Sequence, residues 1–364
     1  MDSVSRYGFI NAKLRARIGQ IHSSDTLDRM IKAPTLVEAI SVLKGTKHEE
    51  LANIYDKTGD LQQVELALME EEIKVHREII SHVDSTVASF VSVLLERVEE
   101  ENIKNVLRLW FSSVLLHHEI SYRVGYINKE KIVYDINYTK IVNALSWKDV
   151  VEAFLNTPYY DVLSSYSEEQ IRSNGLFDTE IALDHLWYKR LFDAISTLSS
   201  TDKEVASKIY NVDVDLKNIL YLIRYGYYHV LPSIRLAKIF IPYARVYSLL
   251  SAKISSGNIT FDEAKVIVKR AYPAIGDLFS KLEEKGEIAA GNHTELAYDT
   301  LEIENYLAQR RKKEFTSILS GDPFTIGTLL SYIFLYKNEC HMIRAILSAK
   351  YYNWSEDQIR RELN

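Results

Sequence analysis

Apolar residues recur along most of the chain at steps of three and four, which is the spacing of one face of an α-helix. The pattern first appears in Tyr7 to Ile21, continues from Leu61 to Val83, and resumes from Thr86 to Phe111. Residues 132–138 are ambiguous because their spacing also suits an extended segment, and we interpret them as a linker between repeats. The pattern therefore predicts a chain built mainly from helices.

Glycine and proline are scarce, and this strengthens the prediction. The chain has 13 glycines and 6 prolines in 364 residues, whereas average usage of the two together is about 12%. Sandwiches and barrels need many turns that contain these residues, so the composition favours an all-α fold. We interpret Gly321-Asp-Pro323 as a turn between two helices, with Asp322 as the N-cap of the second.

Three short motifs recur in the same order, which indicates an internal repeat. A capping-box motif comes first, a motif that opens a long helix comes second, and a motif on a late helix comes third. Equivalent motifs are separated by 111 to 123 residues, far more than the ~20–50 residues of solenoid repeats. The capping motifs are Thr35-Leu-Val-Glu38, Ser146-Trp-Lys-Asp149 and Thr260-Phe-Asp-Glu263; the opening motifs begin at Glu65, Glu180 and Glu295; the late motifs begin at Asn102, Asp215 and Asn338.

The repeat predicts how the chain is divided. A small helical bundle used three times would occupy residues 1–120, 121–236 and 237–364. The bundles are expected to be similar to one another and to share interfaces, because a unit of this size leaves apolar helix faces to cover.

Each predicted repeat also carries one recurring acid and one recurring base. The acid opens the long helix and the base lies on the late helix. One interpretation is that the two charges meet and hold helices in register through the planar fork of the arginine. The alternative is that both are separate surface charges. The six residues are Glu65, Glu180 and Glu295, with Arg108, Arg224 and Arg344.

Charge and cysteine content narrow the class of protein. The net charge of -6 argues against a nucleic-acid binder, which should have a basic excess. Cys340 is the only cysteine, so no disulfide can form within the chain and we expect a cytoplasmic protein. The first residues lack the apolar core of a signal peptide. No apolar run approaches the ~18–20 residues of a spanning helix, so any tie to a membrane is expected to go through a partner.

No motif supports catalysis, and we predict no catalytic residue, cofactor or metal. The sequence has no Gly-rich phosphate loop. Cys340 and His341 are neighbours on a predicted helix and would point about 100° apart. His117 and His118 are also adjacent, whereas helical zinc ligands are four residues apart. The acidic run Glu99-Glu-Glu101 is expected to face solvent.

The two ends of the chain resemble a known family. The opening stretch Tyr7-Gly-Phe-Ile-Asn11-Ala-Lys-Leu-Arg15 and the closing stretch Tyr336-Lys-Asn-Glu339-Cys-His-Met-Ile-Arg344 are similar to the C-subunit family of V-type (archaeal and bacterial A/V-type) ATPases, whose eukaryotic counterpart is the d subunit. The resemblance covers essentially the whole chain, including the triplication. One departure is Tyr221, which occupies the position of Arg108 and Arg344, with Arg224 one turn further on.

The resemblance implies a non-catalytic rotor subunit of the central stalk. It implies three helical bundles in a pseudo-threefold funnel, with one mouth receiving the tip of the axle subunits and the other resting on the membrane proteolipid ring. Such a socket transmits torque between ATP hydrolysis or synthesis and ion (proton) transport. It would be cytoplasmic and held at the membrane through the complex. We expect Lys13, Arg15 and Arg17 at a partner-facing or repeat-bridging position, the alternative being a solvated helix face.

Two rival functions remain at this stage. A static helical scaffold or adaptor unrelated to rotary ATPases would share the repeats but not the two termini. An all-helical metal hydrolase would need metal ligands at helical spacing.

Overall fold

The computed structural model describes residues 3–21, 24–119, 126–273, 275 and 293–363, with all of their side chains except those of 3–5, 24, 293–303 and 362. Every regular element in these residues is a helix, and none of these residues belongs to a strand. The prediction of an all-α fold is therefore confirmed.

The helices of the described residues follow one another along the chain in this order. They are α1 Ser3–Ile18, α2 Ser24–Lys32, α3 Leu36–Ser41, α4 Glu49–Thr58, α5 Leu61–Ile80, α6 Ser85–Trp110, α7 Tyr138–Val142, α8 Trp147–Glu152, α9 Tyr159–Ser164, α10 Glu168–Asn174, α11 Phe177–Thr197, α12 Ser200–Tyr221, α13 Ser233–Ile239, α14 Ala244–Ser255, α15 Phe261–Ala271, α16 His293–Ser317, α17 Gly327–Tyr351 and α18 Glu356–Leu363. Two π-helical turns, Phe111–Leu115 and Leu222–Tyr228, extend α6 and α12.

Backbone contacts group the chain into two compact units. Unit 1 comprises Met1–Lys203 and Pro323–Arg360, and unit 2 comprises Glu204–Asp322 and Arg361–Asn364. In unit 1, α6 packs against α5, α7 and α11, while α17 packs against α1, α2, α3 and α5. In unit 2, α13, α15 and α16 pack against the π-helical turn that follows α12. The last long helix thus belongs with the first helices, and the predicted domain boundaries at 120 and 236 stay a prediction.

The long helices begin where the apolar pattern places them. Helix α5 begins at Leu61 as predicted and ends at Ile80, three residues before the predicted Val83. Helix α6 begins at Ser85, one residue before the predicted start. Asp84 caps it, since its Oδ1 accepts hydrogen bonds from the backbone N–H groups of Thr86 and Val87.

Each of the three predicted capping residues is an N-cap. The side chains of Thr35, Ser146 and Thr260 accept the backbone N–H of the residue three positions on, at the starts of α3, α8 and α15. The shared signal is a β-region residue whose hydroxyl satisfies one of the exposed N–H groups of the first turn. The half of each predicted capping box in which the hydroxyl accepts a backbone N–H is therefore confirmed at all three positions.

The prediction that Asp322 is an N-cap is wrong, because α17 begins at Gly327 with Ile326 as its N-cap residue. Side chains from distant helices hold the preceding segment instead. The Asn11 amide donates to the carbonyls of Pro323 (2.6 Å) and Thr325 (3.0 Å). Oδ1 of buried Asp202 accepts the Ile326 N–H at 2.9 Å. Hydrogen bonds from distant residues therefore hold residues 323–326 outside α17, which begins at Gly327.

The late helix of each predicted repeat ends in the same way. His117, Val230 and Asn353 have positive φ angles of 56°, 45° and 57°, and each lies 15 residues after the start of its late motif. In each case the next residue donates its N–H back to a carbonyl five or six residues earlier: His118 to Ser112, Leu231 to Tyr225, and Trp354 to Ala349. A left-handed residue is a common helix terminator. A triplicated chain would place this uncommon conformation at equivalent positions.

A helix that crosses a membrane must be both long and apolar. Among the described residues, no helix is both long enough and apolar enough to cross a membrane.

Candidate functional site: a buried charge network

Helix α6 carries an acidic stretch through unit 1. The prediction that this run faces solvent is wrong for Glu99 and Glu100, whose residues are 0% exposed. Only Glu101 keeps much of its side chain exposed. The reason is the surroundings of α6, since α5, α7 and α11 pack against it. Buried carboxylates need cations or hydrogen-bond donors close by. In this structure such groups come from several helices and from the segment before α7.

Arg97 and Lys104 face the carboxylates of Glu100 and Asp184. Arg97 Nη1 lies 2.8 Å from Glu100 Oε2 and 2.5 Å from Asp184 Oδ1. Lys104 Nζ lies 2.7 Å from Glu100 Oε1 and 3.0 Å from Asp184 Oδ2. The Arg97 guanidinium also lies over the ring of Trp187. Two cations therefore balance two anions, which is the condition under which charges tolerate burial.

A second cluster joins α6 to α11 through Glu96. Arg190 donates from Nε and Nη2 to the two oxygens of Glu96, both at 2.6 Å. The Tyr134 hydroxyl donates to Glu96 Oε1 at 2.9 Å. This forked geometry fixes the rotation of the two helices about their axes, because both N–H bonds must align with the carboxylate.

Glu99 holds the segment that is ambiguous in the sequence. Its Oε1 accepts the backbone N–H groups of Val133 (2.9 Å) and Tyr134 (2.8 Å), and its Oε2 accepts the Tyr159 hydroxyl at 3.0 Å. Burial raises the pKa of Glu99, and these three hydrogen bonds offset only part of that effect. Residues 132–137 are irregular and form no strand. Glu99 therefore supplies the hydrogen-bond acceptor that a neighbouring strand would supply to the backbone N–H groups of this segment.

Helix α17 is fastened to the first helices along its length. Lys337 Nζ lies 2.9 Å from Glu101 Oε1 on α6 and 3.9 Å from Glu72 Oε1 on α5. Lys350 donates to the carbonyl of Ile31 at 2.6 Å. Burial alone would lower the pKa of Lys337, but the charges of Glu101 and Glu72 outweigh it and raise the pKa. The ion pairs thus favour the charged form of this half-buried lysine.

Two of the three predicted partner-binding residues make ion pairs within the chain. Lys13 Nζ lies 2.5 Å from Glu78 Oε1, and Arg17 donates to both oxygens of Glu78 at 2.6 and 3.0 Å. The hydrogen bond from Arg17, opposed by burial and helped by Lys13, lowers the pKa of Glu78 to about 2. Arg15 is exposed on the same helix. Partner binding stays a prediction for all three, with Arg15 the most accessible.

Among the described residues, one ion pair joins two of the six predicted charged residues, and it links two predicted repeats rather than lying within one. Arg108 donates from Nε and Nη2 to the two oxygens of Glu180, both at 2.7 Å. Arg224 donates from Nε and Nη2 to Glu304 Oε1, at 2.7 and 2.5 Å. Glu304 lies nine residues beyond the predicted Glu295, whose side chain is outside the described residues. Each arginine thus reaches a carboxylate of the next predicted repeat.

Glu65, the acid of the first predicted repeat, contacts α17 and lies within the electrostatic influence of Arg344. Glu65 Oε1 accepts the hydroxyl of Ser348 on α17 at 3.1 Å. Burial raises the pKa of Glu65, while the Ser348 hydrogen bond and the Arg344 charge act against that rise. The charge of Arg344, in the third predicted repeat, therefore opposes the rise in the pKa of Glu65, in the first.

The ion pairs and hydrogen bonds of these clusters hold helices together. Among the described residues, no group of three or more His, Cys, Asp or Glu side chains is placed to hold a metal ion. Cys340 is buried, and burial together with nearby carboxylates raises its pKa well above the ordinary value, so its thiol is protonated. The carboxylates of the network face cations or hydrogen-bond donors within unit 1.

Sequence comparison identifies the family. The sequence model of the family described as ATP synthase (C/AC39) subunit matches residues 10–362. The chain belongs to this family. The match confirms the resemblance that the two ends of the chain indicated.

Archaeal relatives match over nearly the full chain. A protein of Methanococcoides burtonii, named as the C subunit of an A-type ATP synthase, is 21% identical, covering 99% of this chain and 95% of the relative. Proteins of the same name from Methanosarcina acetivorans and Methanocaldococcus jannaschii are 22% and 20% identical, covering 99% and 97% of this chain and 93% and 85% of their own lengths.

Residues that carried the family resemblance make contacts inside unit 1. Asn11 fastens the segment before α17. Tyr336 donates from its hydroxyl to Glu71 Oε2 on α5 at 2.9 Å. Glu339 is also buried, and it faces Lys47 and His48 from the connection before α4. The family motif at each end of the chain therefore serves the junction between the first helices and α17.

Sequence reasoning missed the partners of the buried network. Arg97, Lys104, Asp184 and Arg190 were not singled out, because their charges suit an exposed helix face equally well. One signal was present: the consecutive apolar residues Val93–Leu95 lie on more than one face of a helix, which indicates burial on more than one side. Acidic residues within a few turns of such a run need internal partners.

Proposed function

We propose that this chain is a non-catalytic rotor subunit of the central stalk, which couples the axle subunits of a V/A-type ATPase to its membrane proteolipid ring. The observation that carries the proposal is the family match over residues 10–362, together with relatives named as the C subunit of A-type ATP synthases. The partners would be the axle subunits and the ring. The chain would be cytoplasmic and held at the membrane through the complex.

The interior of unit 1 supports a mechanical role. A part that transmits torque needs helices that resist rotation and sliding against one another. The forked pair of Arg190 with Glu96 supplies this resistance, because it binds only in one relative orientation. The charged groups of the network are used for these contacts. We therefore propose that the chain catalyses no reaction by itself.

Binding and reconstitution test the proposal. The purified chain should capture the axle subunits and, separately, the proteolipid ring. A complex assembled without this chain should hydrolyse ATP in its head but should not move ions. Failure to bind either partner, or ATP turnover that follows the purified chain through every column, would refute the rotor proposal.

Covalent linkage separates a rotor from a static scaffold. A rotor can be linked to the proteolipid ring without loss of ATP hydrolysis, because both turn together. A link to a stator subunit should stop hydrolysis in the coupled complex, and reduction of the link should restore it. The opposite pattern would favour the scaffold function.

A further inference from the structure

His48 lies at the junction where α17 meets the first helices. It directly precedes α4, and its side chain is fully buried. The imidazole Nδ1 lies 2.7 Å from Glu71 Oε2 on α5. The Nε2 lies 3.4 Å from Glu339 Oε2 on α17. The ring therefore lies between carboxylates of two helices that are more than 250 residues apart in sequence.

The geometry selects one protonation state of this ring. A neutral imidazole has one N–H and one lone pair, so it can donate to only one of two carboxylates. The other nitrogen would then face Glu71 or Glu339 with its lone pair, which is repulsive. The imidazolium has two N–H groups, so it can donate to Glu71 through Nδ1 and present positive charge to Glu339, 3.4 Å from Nε2. The position of His48 is thus suited to the charged form.

The charges around His48 balance only when it is protonated. From its own segment, Lys47 contacts Glu339 and lies 4.9 Å from the centre of the Tyr336 ring. From α5, Glu71 also accepts the Tyr336 hydroxyl. The buried thiol of Cys340 on α17 is neutral, and Glu72 on α5 faces Lys337. Two cations then oppose Glu71 and Glu339, and loss of the proton leaves an excess negative charge in the interior.

We propose that His48 is a protonation-dependent clasp, which holds α17 against α4 and α5 when it is charged and loosens that junction when the pH rises. The inference concerns the junction itself and stands whether or not the chain is a rotor. In a rotor it would make the stiffness of the body sensitive to the pH of its compartment.

The pKa of His48 agrees with a clasp that is charged at low pH and loosens as the pH rises. Burial by itself lowers the pKa of His48, but the hydrogen bonds and charges of Glu339 and Glu71 outweigh it and raise the pKa above the ordinary value. A raised pKa means that the contribution to stability is complete below about pH 6.5, the ordinary pKa of histidine, and is lost as the pH rises through the folded-state pKa. Burial lowers the pKa of His76 and His341, so these two titrate below that window.

Nuclear magnetic resonance of the full chain, labelled at its histidine rings, measures the clasp directly. One imidazole resonance should titrate above the ordinary 6.5 and should be missing in His48→Gln. In Glu339→Gln the same resonance should titrate at lower pH, because one carboxylate has been neutralised without a change of shape. If the His48 resonance titrates at or below 6.5 in the wild type, the proposal is wrong.

Thermal unfolding across pH provides a second readout. Between pH 6.5 and 9.5 the Tm of the wild type should fall by roughly 2–4 °C more than that of His48→Gln. The control is His82→Gln, because His82 is exposed and stacks on Phe9; its pH dependence should follow the wild type. Parallel curves for wild type and His48→Gln would overturn the proposal. If His48→Gln does not fold, the shift between wild type and Glu339→Gln still decides the question.

Discussion

At the scale of single residues, the interior of unit 1 shows how a helical protein can bury many charges. Glu100 and Asp184 are almost fully buried, and each faces both Arg97 and Lys104. Taking two ions from water costs several kcal/mol each, and attraction between them offsets this only with good geometry. Replacement of one partner therefore has a larger effect than the net value of the pair.

Arg97→Met should be strongly destabilising, because it removes one of the two cations that face the buried Glu100 and Asp184. We expect a loss of about 3–5 kcal/mol in the free energy of unfolding, measured by urea denaturation at pH 7. The matched control is Arg172→Met. Arg172 pairs with Glu168 on the surface of α10, so its loss should be about 0–1 kcal/mol. Similar losses for the two variants would contradict the role assigned to the network.

Arg15 gives a residue-scale test of the predicted partner surface. It is exposed on α1. If Arg15 faces an axle or ring subunit, Arg15→Glu should weaken capture of that subunit by about tenfold in Kd, or ~1.4 kcal/mol. Circular dichroism should show the same helix content as in the wild type. Arg172→Glu serves as the surface-charge control, and equal binding by both variants would remove Arg15 from the interface.

At the scale of elements, local signals predicted the helices and failed for contacts between distant residues. The starts of α3, α8 and α15 followed from their capping residues, which act within one turn. The start of α17 did not follow from Asp322, because Asn11 and Asp202 hold the preceding segment from elsewhere in the fold. The prediction that the acidic run on α6 faces solvent failed for the same reason. Asp184 and Arg190, which contact this part of α6, are about 90 residues away in sequence.

The bridge between Arg108 and Glu180 tests the pairing of elements. The geometry is bidentate, but the Arg108 side chain is 55% exposed and the Glu180 side chain 21%. Solvent therefore screens the attraction, and a double-mutant cycle with Arg108→Ala and Glu180→Ala should give a coupling energy of only about 0.2–1 kcal/mol. Arg224 and Glu304 should behave alike, because they are similarly exposed. A coupling energy above about 2 kcal/mol would mean that the bridge is a stronger fastening than its exposure implies.

At the scale of the whole molecule, the sequence repeat and the compact units divide the chain differently. The repeat assigns α17 to the third bundle, whereas contacts place it in unit 1 with α1, α2, α3 and α5. The two divisions are compatible if each repeat packs its late helix against the next and the last closes on the first. Within unit 1, α17 contacts α6 through Lys337 and Glu101, and it contacts α5 through Ser348 and Glu65.

This arrangement makes a prediction about fragments. A chain of residues 1–203 alone should not reach its native state, because the helices that α17 covers would expose apolar surface to water. Met30, Ile40 and Leu68 are fully buried residues on helices that pack against α17. The fragment should bind a hydrophobic dye and lack a cooperative thermal transition.

Supplying α17 should reverse the defect. A fragment in which residues 1–203 are joined by a flexible linker to residues 323–360 should unfold cooperatively and should lose most of the dye binding. The control carries the same linker and residues 323–360 in a scrambled order, so that length and composition are kept while the apolar face of α17 is destroyed. Cooperative unfolding of residues 1–203 alone, with no gain when α17 is joined, would show that the first helices form a self-sufficient bundle. In that case the closure of the last helix on the first would be a surface contact rather than part of the core of unit 1.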